Sequence, residues 1–266
     1  MEITGILHAH STFSYDAKLS LSELKELLRS KGIRFACMTE HVDEMTAEAA
    51  HDFVKECRAL SDDSFLFIPG FEVPYRNAHV LMVGMDGFFG NYAPSIDALR
   101  QWTEKASFVI LAHPVRNHFL VDDGLLGEID ALEVWNQQYE GKRVPRTRSL
   151  FLLDELRREK QELLATGGVD LHRREHLGGP YITLDSDTLT EGAIIEKLKL
   201  GAFRVHSPQA SFYGTMPDVE AFKYAHRFES ALSVCIILLG KGVNKLLAGV
   251  GLSLPAGLKQ WVRRKL

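Results

Sequence analysis

The chain has 266 residues, 45% apolar and 25% charged, enough for one large α/β domain or two small ones around a sizeable core. Its net charge of −4 is uneven: six basic residues and no acidic one follow Glu229, so the first 229 residues carry −10, which is −4 less the tail's 6. An acidic body excludes a general nucleic-acid binder, and three scattered cysteines (Cys37, Cys57, Cys235) without a C-x-x-C pair exclude a disulfide framework and suit buried thiols in a reducing compartment.

A short apolar strand at 5–7 leads into His8-Ala9-His10-Ser11, with Asp16 soon after. Alternate side chains of an extended strand share a face, so His8 and His10 point the same way. Leu21, Leu24, Leu27 and Leu28 give 19–29 a helical spacing, with Ser20 or Ser22 as N-cap and Gly32 as the stop. A buried strand at 33–38 ends in Thr39-Glu40-His41, and a second helix covers 47–60. The strand at 65–68 ends in Pro69-Gly70-Phe71-Glu72; after a turn at Arg76-Asn77, a strand over 79–84 begins with His79.

A helix at 96–105 precedes an apolar strand, 108–111, that runs into Ala112-His113-Pro114. Residues 131–134 form the next strand and close with Trp135-Asn136. A charged helix follows at 147–160, with Leu150, Leu153 and Leu156 on one face. A strand at 162–166 then ends in Gly167-Gly168-Val169-Asp170-Leu171-His172. A helix at 191–200 and a strand at 202–205, ending in His206-Ser207, complete the alternation. Six or seven strand–helix units imply a parallel α/β architecture close to a barrel count. No Gly-x-Gly-x-x-Gly or Walker-type loop supports a nucleotide-cofactor fold. From Thr215 on, helices follow without strands, so the expected domains are a hydrolase barrel at 1–214 and a helical extension at 215–266.

Nine residues stand out: His8, His10, Asp16, His41, Glu72, His79, His113, Asp170 and His172. All but His79 lie at or just past strand ends, which share one rim in a parallel barrel. Nitrogen and oxygen donors without cysteine suit zinc, manganese or iron. Nine side chains exceed the needs of one ion; with a bridging carboxylate, two or three divalent ions fit.

In order along the chain, H-A-H-S, Y-D, T-E-H, P-G-F-E, a following His, A-H-P, E-V-W-N and G-V-D-L-H resemble the PHP (polymerase and histidinol phosphatase) superfamily over about 1–210. The resemblance implies a distorted seven-stranded β/α barrel with up to three metals. His8, His10, Glu72 and Asp170 would hold one ion. Asp16, His41 and His172 would hold a second, several family members having His where this chain has Asp16. His79 and His113 would hold a third, with Glu72 bridging. The implied activity is a metal-dependent phosphoesterase, in which a metal-bridging hydroxide attacks phosphorus in line.

For the phosphate, Arg116 in His113-Pro114-Val115-Arg116 is the first choice of cation and Arg204, near Ser207, the second. His206 or His118 is the candidate acid for the leaving group. Glu40 reads as structural, facing away from His41. Asn136 reads as a loop tie or substrate contact, and Arg173 and Arg174 as exposed. His51, His176 and His226 read as surface or filler histidines. The glycines beside the ligands (Gly5, Gly70, Gly167, Gly168) read as turns that swing side chains onto the metals.

Glu2 and the lack of a basic opening stretch do not read as a signal peptide, so a soluble cytoplasmic protein is expected. The apolar run 230–239 is too short to span a bilayer. Val243, Leu246, Leu247 and Val250, then Leu258, Trp261 and Val262, alternate with basic residues as in an amphipathic helix; docking on the body or a second subunit is favoured over an anionic membrane surface. The expected substrate is a small phosphorylated molecule, first a phosphomonoester, with a nucleotide or short oligonucleotide as alternatives. A metal-dependent amide hydrolase is disfavoured because no lysine sits at these strand ends. A membrane- or partner-docked regulatory module on the same barrel is the rival from another class.

Overall fold

The computed structural model describes residues 1–215. The expected C-terminal helical extension, Cys235 and His226 lie outside them. The strands are β1 (Glu2–Ala9), β2 (Phe35–Met38), β3 (Glu40–His41), β4 (Leu66–Ile68), β5 (Gly70–Tyr75), β6 (Ala78–Val83), β7 (Phe108–Leu111), β8 (Ala131–Asn136), β9 (Leu164–Gly168), β10 (Tyr181–Asp185), β11 (Phe203–His206) and β12 (Ser211–Tyr213). The helices are α1 (Leu21–Arg29), α2 (Ala47–Leu60), α3 (Ile96–Thr103), α4 (Asp123–Glu128), α5 (Gln137–Glu140), α6 (Thr147–Leu156) and α7 (Glu191–Lys199).

The helices start where side chains can close their free N–H groups. Ser20 and Glu23 form a reciprocal capping box on α1, and Thr46, Ser95 and Thr190 cap α2, α3 and α7. α1 then buries Leu21, Leu24, Leu27 and Leu28, the stripe its spacing predicts. The core between helices and sheets is aromatic: Phe35, Phe53, Phe65, Phe67, Phe71, Phe108, Trp102 and Trp135 are nearly or wholly inaccessible. Cys37 and Cys57 are buried free thiols, as expected, and burial pushes both thiols up.

The mixed α/β class holds, but the strands among the described residues form two six-stranded sheets, not one closed seven-stranded barrel. One runs β12-β11-β10-β1-β2-β4 and the other β3-β5-β6-β7-β8-β9. Two features break the parallel run that the alternation suggested. The Arg76-Asn77 turn is a tight hairpin, so β6 pairs antiparallel with both β5 and β7. After β9, three short strands add to β1 in antiparallel register through β10. The sheets meet at a seam: Val169 N–H donates to Leu7 C=O (3.1 Å), Leu171 N–H to His8 C=O (3.2 Å) and His10 N–H to Leu171 C=O (2.9 Å). That seam draws the end of β1 and the segment past β9 together, and the metal-ligand candidates from both strands with them.

Candidate metal centre

Six strands deliver their ends to one place. β1 brings His8, and His10 and Asp16 follow it; His41 closes β3; Glu72 and His79 sit on the β5–β6 hairpin; His113 follows β7; Asp170 and His172 follow β9. All nine expected residues belong to the cluster. Glu72 is its hub. Its Oε2 is 3.0 Å from His8 Nε2, 3.3 Å from His10 Nε2 and 3.6 Å from His41 Nδ1. Its Oε1 is 3.0 Å from His113 Nε2 and also contacts His79 Nδ1. Asp170 Oδ1 lies 3.5 Å from both His8 Nε2 and His10 Nε2. At the outer side, Asp16 Oδ2 is 3.3 Å from His172 Nε2 and its Oδ1 is 3.8 Å from His41 Nε2.

Four triads have ligand atoms mutually within 4.8 Å: His8–His10–Glu72, His8–His113–Asp170, His10–His41–His172 and His41–Glu72–His79. The donor set fits divalent cations on a physical ground. His10 Nε2, His41 Nδ1 and Asp16 Oδ1 are buried and make no hydrogen bond among the described residues. A buried polar atom without a partner is costly, and a cation would satisfy all three. Three of the residues, His8 (φ 62°), His113 (φ 24°) and Asp170 (φ 52°), hold left-handed backbone, a strain that concentrates at functional sites.

The electrostatics are those of alternating charge in a dry cluster. Burial alone pulls the His8 imidazole down, but Asp170, Glu133 and Glu72 together outweigh it and hold it well above its ordinary value. His10 is likewise opposed by burial, yet the nearby Asp170 and Glu72 carboxylates raise it to about 9. His41 goes the other way, to about 3, because burial and the neighbouring His10 and His172 outweigh Glu72. For Glu72, burial pushes up, but His8, His10, His113 and His79 bring it well below the carboxylate range. Asp170 is lowered in the same manner, His8 and His10 overcoming burial.

Above the cluster opens a pocket of about 330 Å³. Tyr15, Arg116, Gln138, Tyr139, Arg173 and His176 line it, together with Asp16, His41, Glu72, His113, Asp170 and His172. Arg116 sits on the turn Pro114–Asn117, exposed, its Nη1 2.8 Å from His79 Nε2. His206, the candidate acid, does not join the cluster. It lies on β11, half-buried, with Nε2 2.7 Å from Thr183 Oγ1, because the antiparallel β10–β11 pairing sets it opposite Tyr181. Arg204 lies on that same strand, 3.8 Å from Glu2, and Ser207 donates to the Arg143 carbonyl. His118 is exposed at the end of the Pro114–Asn117 turn, and His51 is exposed on α2.

Sequence reasoning missed several contributors. Glu133, in E-V-W-N, is 1% exposed and contacts His8. Glu40 is wholly buried and accepts from Ser11 N–H (2.8 Å) and Ser11 Oγ (2.6 Å) and from Ser14 Oγ, the hydroxyl beside His10 Nδ1. Asn136 does tie its loop: its Oδ1 accepts from Gln138 and Tyr139 N–H while its amide nitrogen reaches Glu133 and Asp170. His176 is no filler, since its Nδ1 accepts from His172 N–H (3.3 Å). The four glycines expected as turns all have negative φ; what each needs is space, Gly5 against the Phe35 ring and Gly70 against the Met82 and Met38 carbonyls.

A mixed α/β fold that gathers histidines and carboxylates from many strand ends into metal-holding groups defines a class of metal-binding hydrolase folds. A PHP domain model matches residues 7–164, more than half of the chain, and the chain belongs to that family. A probable histidinol-phosphatase of Thermotoga maritima is 26% identical over 113 residues, 39% of this chain and 48% of that protein, so the match spans about half of the relative's length. Among solved structures, a two-domain Bacteroides vulgatus protein containing a predicted PHP-like metal-dependent phosphoesterase superposes with a TM-score of 0.58 at 14% identity, covering 78% of this chain and 65% of that one. The lesion-specific endonuclease PfuEndoQ of Pyrococcus furiosus gives 0.52 at 17% identity over 77% and 58%. PsfC of Pseudomonas syringae gives 0.51 at 12% over 85% and 97%. At these identities the structural likeness is one of fold.

Proposed function

We propose that the chain is a metal-dependent phosphoesterase acting on a small phosphorylated substrate, a phosphomonoester first. The observation that carries the reading is the set of buried donor atoms without a hydrogen bond on His10, His41 and Asp16 beside the Glu72 hub. His8, His10, Glu72 and Asp170 would hold one ion, Asp16, His41 and His172 a second, and His79 and His113 with Glu72 a third. Zinc, manganese and iron all suit these donors. Bound ions would supply Lewis acidity, which lowers the pKa of water and neutralises charge on phosphate oxygens.

The chain's own groups supply the rest. Glu72 keeps the imidazoles facing one another across a water-poor floor. Arg116, at the mouth, offers a guanidinium fork to the non-bridging phosphate oxygens. Its contact with His79 keeps that exposed charge at the edge of the cluster. Tyr15 and Tyr139 flank the opening, with rings 5.4 Å from His41 and 5.0 Å from His113, and give the non-phosphate part of a substrate aromatic faces to lie on. A pocket of about 330 Å³ suits a small molecule or a single terminal nucleotide better than a duplex. The names of the relatives support a phosphate ester as substrate: one is a histidinol-phosphatase and one an endonuclease.

The test is metal analysis of the purified protein joined to a phosphate-release screen over sugar, amino-alcohol and nucleoside monophosphates, with chelator and add-back arms. Two to three divalent ions per chain and chelator-sensitive release are expected. A protein that holds no divalent ion at micromolar supply would overturn the reading.

A further inference from the structure

We propose that Glu133 is a positioning residue for the metal centre. It fixes the tautomer of His8, so that Nε2 is the nitrogen presented to a metal, and the same carboxylate sets the backbone of His113. The inference rests on the metal reading given above. Glu133 Oε1 lies 2.9 Å from His8 Nδ1. Its Oε2 accepts from His113 N–H at 2.7 Å and from Asn136 Nδ2 at 2.9 Å.

The polarity of this network follows from its ends. Asn136 has no choice of orientation, because its Oδ1 accepts from the backbone N–H groups of Gln138 (2.9 Å) and Tyr139 (3.3 Å). Its nitrogen must therefore face Glu133. A backbone N–H can only donate as well, so both partners of Oε2 are donors. Oε2 is thereby taken up by two donors, and Oε1, 2.9 Å from His8 Nδ1, is the oxygen left to accept the N–H that the proposal puts on that nitrogen. Nε2 is left facing Glu72 Oε2 at 3.0 Å and Asp170 Oδ1 at 3.5 Å, with His10 beside it. His8 and His113 both hold left-handed backbone, and one carboxylate grips the side chain of the first and the amide of the second. A single buried residue thus sets two of the nine candidate ligands.

The grip also has a steric requirement. A Cβ on Gly168 would lie 1.8 Å from Glu133 Oε1 and 2.7 Å from His8 Cβ. Gly168, opposite Asn136 in the β8–β9 pairing, leaves the channel through which the carboxylate reaches His8. A Gln at 133 cannot reproduce this set: with its oxygen on His8 its amide N–H faces the His113 N–H, and with its nitrogen on His8 it favours the opposite tautomer, with the proton on Nε2.

The experiment is long-range nitrogen NMR of the zinc-loaded wild-type chain, with His8 assigned by His8→Gln, together with zinc titrations of wild type, Glu133→Gln and Glu133→Asp. Expected are a protonated Nδ1 and a metal-shifted Nε2 on His8, a 10- to 100-fold loss of zinc affinity in Glu133→Gln, about what such outer partners contribute, and a smaller loss in Glu133→Asp. Zinc bound through His8 Nδ1, or unchanged affinity in folded Glu133→Gln, overturns the inference and leaves the metal reading intact. Wild type that takes up no divalent ion, whether zinc, manganese or iron, overturns both. The wild-type spectrum decides the tautomer even where a variant fails to fold.

Discussion

At the floor of the pocket His8, His10, Glu72 and Glu133 are at most 1% exposed, and each is held by groups from other strands. At its mouth Tyr15 is 58% exposed, Arg116 rides a short turn, and Arg173 has no carboxylate partner among the described residues. The floor is set by strand ends that cannot shift without disturbing both sheets. The mouth is set by loops that can. Under the proposed function, chemistry belongs to the floor and substrate choice to the mouth, a division common where a rigid scaffold carries variable loops. The same contrast separates changes that abolish function from changes that retune it.

The sharpest way to break the contrast is at the floor. Asp170→Ala should lower phosphate release by about three orders of magnitude or more, with far-UV circular dichroism retained. Turnover within tenfold of wild type would remove Asp170 from the centre. Gly168→Ala tests the floor's steric side: urea unfolding should show a loss of about 1–3 kcal/mol, as for overpacking of a filled core, accompanied by weaker metal binding. An Ala there that leaves both unchanged would mean the Glu133 channel has slack.

At the mouth, Arg116→Ala should cost about 10- to 100-fold in kcat/KM, the range for a lost charge-assisted hydrogen bond, while bound-metal content stays the same. Loss of metal in that variant would move Arg116 from mouth to floor. An effect of pH on stability is expected behind the mouth, at Glu140. Burial raises its carboxyl to about 8, although Ser149 and the Asn136 N–H oppose the shift. The folded state therefore binds this proton more tightly than the unfolded one. Its stabilising share is complete below the ordinary value of 4.5 and is lost as pH rises toward 8. Melting temperature should fall over that window in wild type and fall less in Glu140→Gln; parallel curves would show that the carboxyl is solvated.

How far the chain could be read in advance follows the same division. The nine ligand candidates were legible because histidine and acidic residues at strand ends leave a pattern that no helix spacing mimics. Glu133 was not. In Ala131–Asn136 every residue is buried, so alternation gives no sign that a lone glutamate inside an apolar strand turns toward a histidine far away in sequence. The short strand β10 was missed for a related reason. Tyr181–Asp185 is half polar and becomes a strand only through its antiparallel pairing with β1. His206 looked like part of the rim because its strand seemed to continue the parallel series; β11 does run parallel to β1, but the antiparallel β10 lies between them and His206 turns to Thr183 on that strand instead of to the cluster.

The left-handed backbone at His8, His113 and Asp170 carries a price in folding free energy that the fold must offset elsewhere. Glycine or asparagine would sit at those positions with less strain. Their exchange would leave Glu72 and Glu133 with buried oxygens short of partners, so the strained backbone and the buried carboxylates hold each other in place.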